Sequence, residues 1–109
     1  MENTELIIFE IISKVGVARS KYIEAISYAK DYNFETAENL IKEGSEIFLD
    51  SHKIHANLVQ KEANGEKVEV SILLVHAEDQ LMSAESFKIL SNEFIQSYKK
   101  MFNIENKVK

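Results

Sequence analysis

The 109-residue chain contains no cysteine, no proline and no tryptophan, and it has only three glycines. Without cysteine it can form no disulfide, no thiolate metal site and no cysteine nucleophile, so any covalent chemistry must use another side chain. The lack of proline and the scarcity of glycine leave few points at which a helix would be interrupted. These absences favour an all-α protein with long helices.

The chain also lacks a basic cluster and a long apolar run. Its 13 Lys and Arg residues against 18 Asp and Glu give a net charge of -5, which argues against nucleic acid or an anionic membrane as a partner. No continuous apolar run is longer than Ile72–Val75, whereas roughly 20 residues are needed to span a bilayer. The start of the chain is acidic and polar, unlike a signal peptide. We therefore expect a single cytoplasmic domain over residues 1–109.

Apolar residues spaced by three and four predict three helices. The first covers about residues 4–31, and the second starts after Asn33, its expected N-cap, and runs to about Glu62. A turn at "NGEKVEV" precedes the third helix, which starts near Ser71 and ends near Phe102, leaving a frayed, solvated tail "NIENKVK". The predicted packing positions of the first helix are Leu6, Phe9, Ile12 or Ser13, Gly16, Ala18 or Arg19, Ile23, Ile26 and Ala29 or Lys30.

The third helix carries two apolar stripes, which need two different neighbours. One neighbour is the pair of preceding helices in an up-down-up bundle, and the other is most simply a second copy of the chain. Asp79 lies in one of the stripes, where a buried carboxylate needs a partner charge or a metal ion. That stripe consists of Ile72, Val75, Asp79, Met82, Ser86 and Ile89. The other consists of Leu74, Ala77, Leu81, Ala84, Phe87 or Lys88, Leu90 or Ser91, Phe94 and Met101.

Three histidines are the candidates for chemistry. A glycine-rich phosphate loop, an HExxH motif and a nucleophile elbow are all absent from the sequence. His52 and His55 are one helical turn apart and could share a metal, although histidines at this spacing on a polar face are usually solvated. A small metal-binding bundle that uses His52, His55, His76 and Asp79 is one hypothesis. Without further information, His76 would more often be a hydrogen-bonded helix histidine than a catalyst.

The segment "VHAEDQLMSA", residues 75–84, resembles a family signature that reads approximately V-H-[AG]-Q-D-H-L-M-[ST]. The family comprises the lactose/cellobiose-type IIA components of the bacterial phosphoenolpyruvate-dependent sugar phosphotransferase system. Three further segments resemble the same family, and the resemblance covers about residues 6–100. These segments are "FEIISKVGVARSKYIEAI", "NFETAENLI" and "EANGEKVEVSILLVH".

The resemblance implies a phosphotransferase whose single reactive residue is His76. In the family this histidine accepts a phosphoryl group from the phosphohistidine of HPr and passes it to a cysteine of the IIB component, during uptake of a disaccharide such as cellobiose or lactose. Asp79 matches the aspartate that meets its symmetry mates at the centre of a homotrimer and binds a divalent metal, for which oxygen ligation favours Mg²⁺. The implied fold is an antiparallel three-helix bundle, three copies of which form a nine-helix trimer.

Two departures from the family pattern involve histidine. Gln80 stands where the family usually has histidine, and His55 stands where it commonly has glutamine within H-x-x-Q-T, whereas His52 fits the pattern. One hypothesis is that the two residues have been exchanged and keep an imidazole–amide hydrogen bond between the second and third helices. The alternative function is a non-enzymatic helical interaction module on the same scaffold.

Overall fold

The computed structural model describes residues 2–108 and confirms an all-α fold. The chain forms three helices: α1 over Glu2–Lys30, α2 over Phe34–Ala63 and α3 over Ile72–Val108. Within residues 2–108 there is no β-strand, and no helix in this range is long and apolar enough to cross a membrane. The helices lie side by side in a rod that measures 63 × 20 × 20 Å.

Polar contacts between the helices define an up-down-up arrangement, as predicted. Lys14 pairs with Asp50 and Lys21 pairs with Glu43. Because the residue later in α1 pairs with the residue earlier in α2, the two helices are antiparallel. Because α3 is joined to α2 by a second reversal, α1 and α3 are parallel. Helix α1 packs extensively on both neighbours, while α2 and α3 contact each other much less.

The connection between α1 and α2 is short and locally encoded. Tyr32 adopts a left-handed conformation with φ of 65°, which reverses the chain after α1. Asn33 then caps α2, because its side-chain oxygen accepts a hydrogen bond from the Thr36 N–H at 3.4 Å. The predicted N-cap is therefore confirmed.

The connection between α2 and α3 uses the predicted turn. Gly65 has φ of 89°, a conformation that residues with a Cβ rarely adopt, and its N–H donates to the Glu62 carbonyl at 3.0 Å. This left-handed glycine directly after the helix is the usual way to satisfy its last carbonyls. At the start of α3 the Ser71 hydroxyl accepts a hydrogen bond from the Leu74 N–H at 3.1 Å.

The buried face of α1 agrees with the predicted one only in part, since Ala18 and Ala29 are buried as predicted. Leu6, Phe9, Gly16 and Ile23 are exposed, so the prediction that they face the core of the chain is wrong. Three of the seven buried side chains are alanines, and small side chains allow α1 to approach its neighbours closely. The seven follow the same three-four spacing, displaced around the helix: Ile8, Ile11, Val15, Ala18, Tyr22, Ala25 and Ala29.

Helix α3 presents its predicted second stripe to the core as far as Ser91. Ala77, Leu81, Ala84 and Ser91 are buried as predicted, but Phe94 and Met101 are exposed. Beyond Ser91 the buried position is Ile95, which continues the same spacing without a shift. We call this continuous buried set the inner stripe of α3; it consists of Ala77, Leu81, Ala84, Ser91 and Ile95.

Helix α3 continues past the predicted end at Phe102 and reaches Val108. An aromatic cluster holds this part of the helix against the start of α2, with ring centroids 5.0 Å apart for Tyr32 and Phe102 and 6.0 Å apart for Phe34 and Phe102. The expected frayed tail is therefore helical over residues 103–108, although its side chains are exposed as predicted. Lys109 lies outside the described residues.

The other predicted stripe of α3 is exposed in the single chain. We call it the outer stripe; it consists of Ile72, Val75, Asp79, Met82, Ser86 and Ile89, all of which are exposed. Ile72 is 91% exposed and Met82 is 70% exposed. Leu6 and Phe9 of α1 are also exposed, so apolar side chains lie on the surfaces of both parallel helices.

Candidate functional site

His76 lies near the start of α3, on the side of the helix that faces α1. Arg19 of α1 donates its Nε–H to the Ser83 hydroxyl at 3.2 Å across a separation of 64 residues, so the parallel register places His76 level with Ile12. Successive residues are about 100° apart around a helix. His76 therefore lies beside buried Ala77, at the edge of the buried face of α3. The imidazole is exposed at this edge.

The surroundings of His76 form an open surface. Val75 and Met82 on the same helix are 56% and 70% exposed, so exposed apolar groups lie on this part of α3. A cleft of 520 Å³ opens at the same end of the bundle, but its lining does not include His76; it consists of Thr4, Glu5, Ile8, Lys67, Val68, Glu69 and Ser71. An exposed imidazole on such a surface can reach an atom presented by another protein, which a deep pocket would prevent.

Asp79 is exposed in the middle of the outer stripe. Among the residues that the structure describes, no three His, Cys, Asp or Glu side chains are placed to hold a metal ion together. The arrangement in one chain therefore does not support the hypothesis of a metal-binding bundle that uses His52, His55, His76 and Asp79. A metal ion at Asp79 would need ligands from further copies of the chain.

His55 is paired, but not with the residue that the sequence suggested. Its Nε2 atom lies 2.6 Å from Oε1 of Glu78 on α3, with the side chains 18% and 48% exposed. The hypothesis of an imidazole–amide bond between His55 and Gln80 is thus wrong, because Glu78 faces α2 and takes the place expected for Gln80. His52 is exposed, and its ring stacks on Phe48 with centroids 6.3 Å apart.

Glu78 is the site residue that sequence reasoning missed. A glutamate on an exposed helix face is ordinary, and only the packing of α2 against α3 brings it to His55. One signal was present in the sequence: Glu78 stands at the glutamine of the V-H-[AG]-Q-D-H pattern. The family has glutamine at both of these positions, whereas this chain has Glu78 and His55, and the two side chains are in contact.

The sequence model of the family described as "PTS system, Lactose/Cellobiose specific IIA subunit" matches residues 6–99. The chain belongs to this family. The resemblance inferred from the "VHAEDQLMSA" segment is thereby confirmed, and the chain is a IIA component of a phosphotransferase system. Among curated proteins, this IIA chain is 40% identical over 99 residues to a lactose-specific EIIA component of Staphylococcus epidermidis, covering 91% of this chain and 95% of the relative.

Solved structures of IIA components share the fold of this chain. The cellobiose-specific enzyme IIA from Bacillus anthracis superposes with a TM-score of 0.92 at 40% identity, over 94% of each chain. The chitobiose IIA component of Escherichia coli, solved in complex with HPr, gives a TM-score of 0.79 at 28% identity, over 90% of this chain and 95% of the other. The three-helix arrangement described above is thus the arrangement of other IIA components.

Proposed function

We propose that this IIA chain carries a phosphoryl group on His76, from HPr to the IIB component of a sugar phosphotransferase system. The observation that supports the proposal most is the exposure of His76 on open surface within the segment that matches the family. The chitobiose IIA component was solved in complex with HPr, which supports HPr as the phosphoryl donor.

The chemistry needs one neutral imidazole and a neighbouring protein that delivers the phosphorus. The unprotonated nitrogen of His76 attacks the phosphorus on the donor histidine, and a new P–N bond forms as the donor P–N bond breaks. The second nitrogen of each ring keeps its proton, so the donor leaves as neutral imidazole. In the next step a cysteine thiolate of IIB attacks the same phosphorus, a P–S bond forms as the P–N bond to His76 breaks, and the electron pair of that bond returns His76 to its neutral state.

The openness of the site fits transfer between proteins. The same phosphorus must be reached first from the donor and then by the acceptor, so each partner needs direct access to His76. The exposure of His76 on the surface of α3 meets this need.

The proposal includes a homotrimer with Asp79 at its axis. Exposed Ile72, Val75, Met82 and Ile89 on the outer stripe would be buried if three copies packed α3 against α3. Three Asp79 carboxylates would then converge and repel one another, and a shared Mg²⁺ ion would remove the repulsion. Within residues 2–108 of one chain, no three His, Cys, Asp or Glu side chains lie close enough to hold a metal ion together. A site with one carboxylate from each of three chains is consistent with this. The metal would act as a structural ion and not in phosphoryl transfer.

The transported sugar is proposed to be a disaccharide such as cellobiose or lactose. The relatives reported above are described as specific for lactose, cellobiose and chitobiose, all of them built from two sugar units. In this proposal the chain works in the cytoplasm, where HPr supplies the phosphoryl group and IIB receives it.

The test is intact-mass spectrometry after incubation with phosphoenolpyruvate, Enzyme I and HPr. We expect the wild-type chain to gain one acid-labile phosphoryl group and the His76→Ala variant to gain none. His52→Ala is the matched control, because His52 is also an exposed histidine, and it should be phosphorylated like the wild type. Phosphorylation of His76→Ala would refute the site. No gain in the wild type, with HPr itself phosphorylated, would favour the interaction module.

A further inference from the structure

His76 has one side-chain hydrogen-bond donor among its closest neighbours on α3. The closest neighbours of a helical residue lie three and four positions before and after it. For His76 the two earlier positions are Ile72 and Leu73, which are apolar, and the two later ones are Asp79 and Gln80. An ionised aspartate only accepts hydrogen bonds, whereas a glutamine amide has two N–H donors. Gln80 is therefore the one of these four residues that can donate a hydrogen bond to a group on His76.

Gln80 lies on the side of α3 that faces α1. Ser83 accepts the hydrogen bond from Arg19 of α1, and the guanidinium carbon of Arg19 lies 4.8 Å from the ring centroid of Phe87. Gln80 precedes Ser83 by three residues and Phe87 by seven, and residues at this spacing share a helix face. The side chain of Gln80 is half-buried, whereas that of His76 is exposed, as expected for a position at the edge of the contact with α1.

Helix geometry directs the side chain of Gln80 toward His76. In an α-helix each Cα–Cβ bond tilts toward the N-terminus, so a long side chain covers the turn before its own. For Gln80 this preceding turn is the one that carries His76, and Cβ atoms four residues apart are about 6 Å from each other. A glutamine side chain is long enough to span that distance and reach a phosphoryl group on the imidazole.

The amide of Gln80 is available for such a contact. None of the side-chain hydrogen bonds found within residues 2–108 involves Gln80. The register that places His76 level with Ile12 places Gln80 level with Gly16, which has no side chain to accept a hydrogen bond. A phosphoryl group on His76 would carry close to two negative charges at neutral pH, and its oxygens would supply the acceptor.

We propose that Gln80 binds the phosphoryl group carried by His76, by donating an amide N–H to one of its oxygens. The proposal rests on the proposed function of His76 and adds a second residue to the same site. A hydrogen bond to a charged oxygen is about twice as strong as one between neutral groups. Because free His76 carries no such oxygen, the contact stabilises the phosphorylated form relative to the free form.

The test measures the equilibrium ratio of phosphorylated to free IIA in phosphoryl exchange with HPr. Gln80→Ala should lower the ratio about tenfold, the change that loss of one hydrogen bond to a charged group gives. Gln80→Glu keeps the size of the side chain but replaces the donor by a negative charge, and it should lower the ratio further.

Gln96→Glu is the matched control, because it makes the same chemical change at an exposed position of the same helix. Gln96 lies about 30 Å along α3 from His76, so Gln96→Glu should leave the ratio unchanged. A loss as large in Gln96→Glu as in Gln80→Glu would show that the added charge acts without contact, and it would overturn the proposal. Circular dichroism shows whether each variant is folded.

A second measurement uses the wild type and separates binding from a merely structural role. In heteronuclear NMR spectra the side-chain amide signals of Gln80 should shift when His76 is phosphorylated, while those of Gln96 should stay in place. This measurement does not depend on the folding of any variant. Side-chain amide signals of Gln80 that stay in place on phosphorylation would overturn the proposal.

Failure of this inference is distinguishable from failure of the proposed function. A wild type that is phosphorylated on His76, with the same ratio in Gln80→Ala and Gln80→Glu, would overturn the role of Gln80 alone. A wild type that takes no phosphoryl group from phosphorylated HPr would overturn both.

Discussion

The inner and outer stripes of α3 have the same spacing and opposite surroundings. Both repeat every three and four residues, yet Ala77 and Ile95 of the inner stripe are buried while Ile72 and Met82 of the outer stripe are exposed. The outer stripe has larger apolar side chains than the first half of the inner stripe. Hydrophobic spacing alone therefore does not show whether a helix face is covered by its own chain.

The sharpest test of this difference uses two isoleucines of one helix. Ile95 is 4% exposed and Ile89 is 59% exposed. Ile95→Ala should lower the free energy of unfolding by about 2–5 kcal/mol because it leaves a cavity in the core. Ile89→Ala should cost no more than about 0.5 kcal/mol within one chain.

Denaturation in urea at several protein concentrations measures both variants. The loss in Ile95→Ala should not depend on concentration, whereas any loss in Ile89→Ala should grow with concentration because it reflects self-association. Equal and concentration-independent losses would show that the two stripes do not differ in this way.

Two glycines provide the next comparison, because one is buried and the other is exposed. A Cβ added to Gly44 would lie 2.9 Å from Cε1 of Tyr22 and 3.2 Å from the carbonyl oxygen of Ala18, so Gly44→Ala should destabilise the fold by about 1–3 kcal/mol. A Cβ on Gly16 would meet nothing within 4 Å, and Gly16→Ala should stabilise the single chain by about 0.5–1 kcal/mol through helix propensity. Thermal unfolding measures both, and destabilisation of similar size would contradict the comparison.

Asp79 is the one charged residue of the outer stripe, so its substitution tests whether this stripe mediates self-association. If the proposed metal-bound trimer forms, Asp79→Leu should preserve it and make self-association insensitive to a chelator, because an apolar residue suits a buried seam better than an unpaired carboxylate. The wild-type assembly should loosen when EDTA removes the metal. Sedimentation velocity with and without EDTA measures both effects, and a monomeric Asp79→Leu protein would refute the assignment.

The smallest expected effect concerns Tyr22 on the buried face of α1. Burial raises the pKa of the Tyr22 phenol, and the weak hydrogen bond with Ser45 partly opposes the shift. The folded chain therefore favours the neutral phenol, so its contribution is complete below the unfolded pKa of about 10 and is lost as the pH rises past that value. Tyr22→Phe should show a shallower fall in melting temperature between pH 9 and pH 11, at about the values where tyrosine ionises. Identical slopes would contradict the prediction.

Features that depend on neighbouring residues were predictable from the sequence. The Asn33 cap and the turn around Gly65 require only local hydrogen bonds, and both are found where the sequence places them. The end of α3 was not predictable, because Phe102 contacts Tyr32 and Phe34, which are far away in the sequence. The buried face of α1 was predictable only in part: Ala18 and Ala29 are buried as predicted, but Leu6 and Phe9 are exposed. Apolar residues lie on more than one face of α1, and local spacing does not show which face the other two helices cover.

In the candidate site, too, local features were predictable from the sequence and contacts between distant residues were not. The sequence drew attention to His76 through a motif of adjacent residues, and the structure finds this side chain exposed. Glu78 belongs to the same motif, but its partner His55 is 23 residues away on another helix. A pairing of this kind depends on the register between α2 and α3, which no local pattern determines.

The length of α3 has a practical consequence for experiments on this chain. Ile104 is 63% exposed, and with a rise of about 1.5 Å per residue it lies about 42 Å along the helix from His76. A fluorescent dye attached to a cysteine introduced at this position would react at one place only, since the chain has no cysteine of its own. Fluorescence anisotropy of the dye would then report the tumbling of complexes formed around His76 without the dye touching the bound partner.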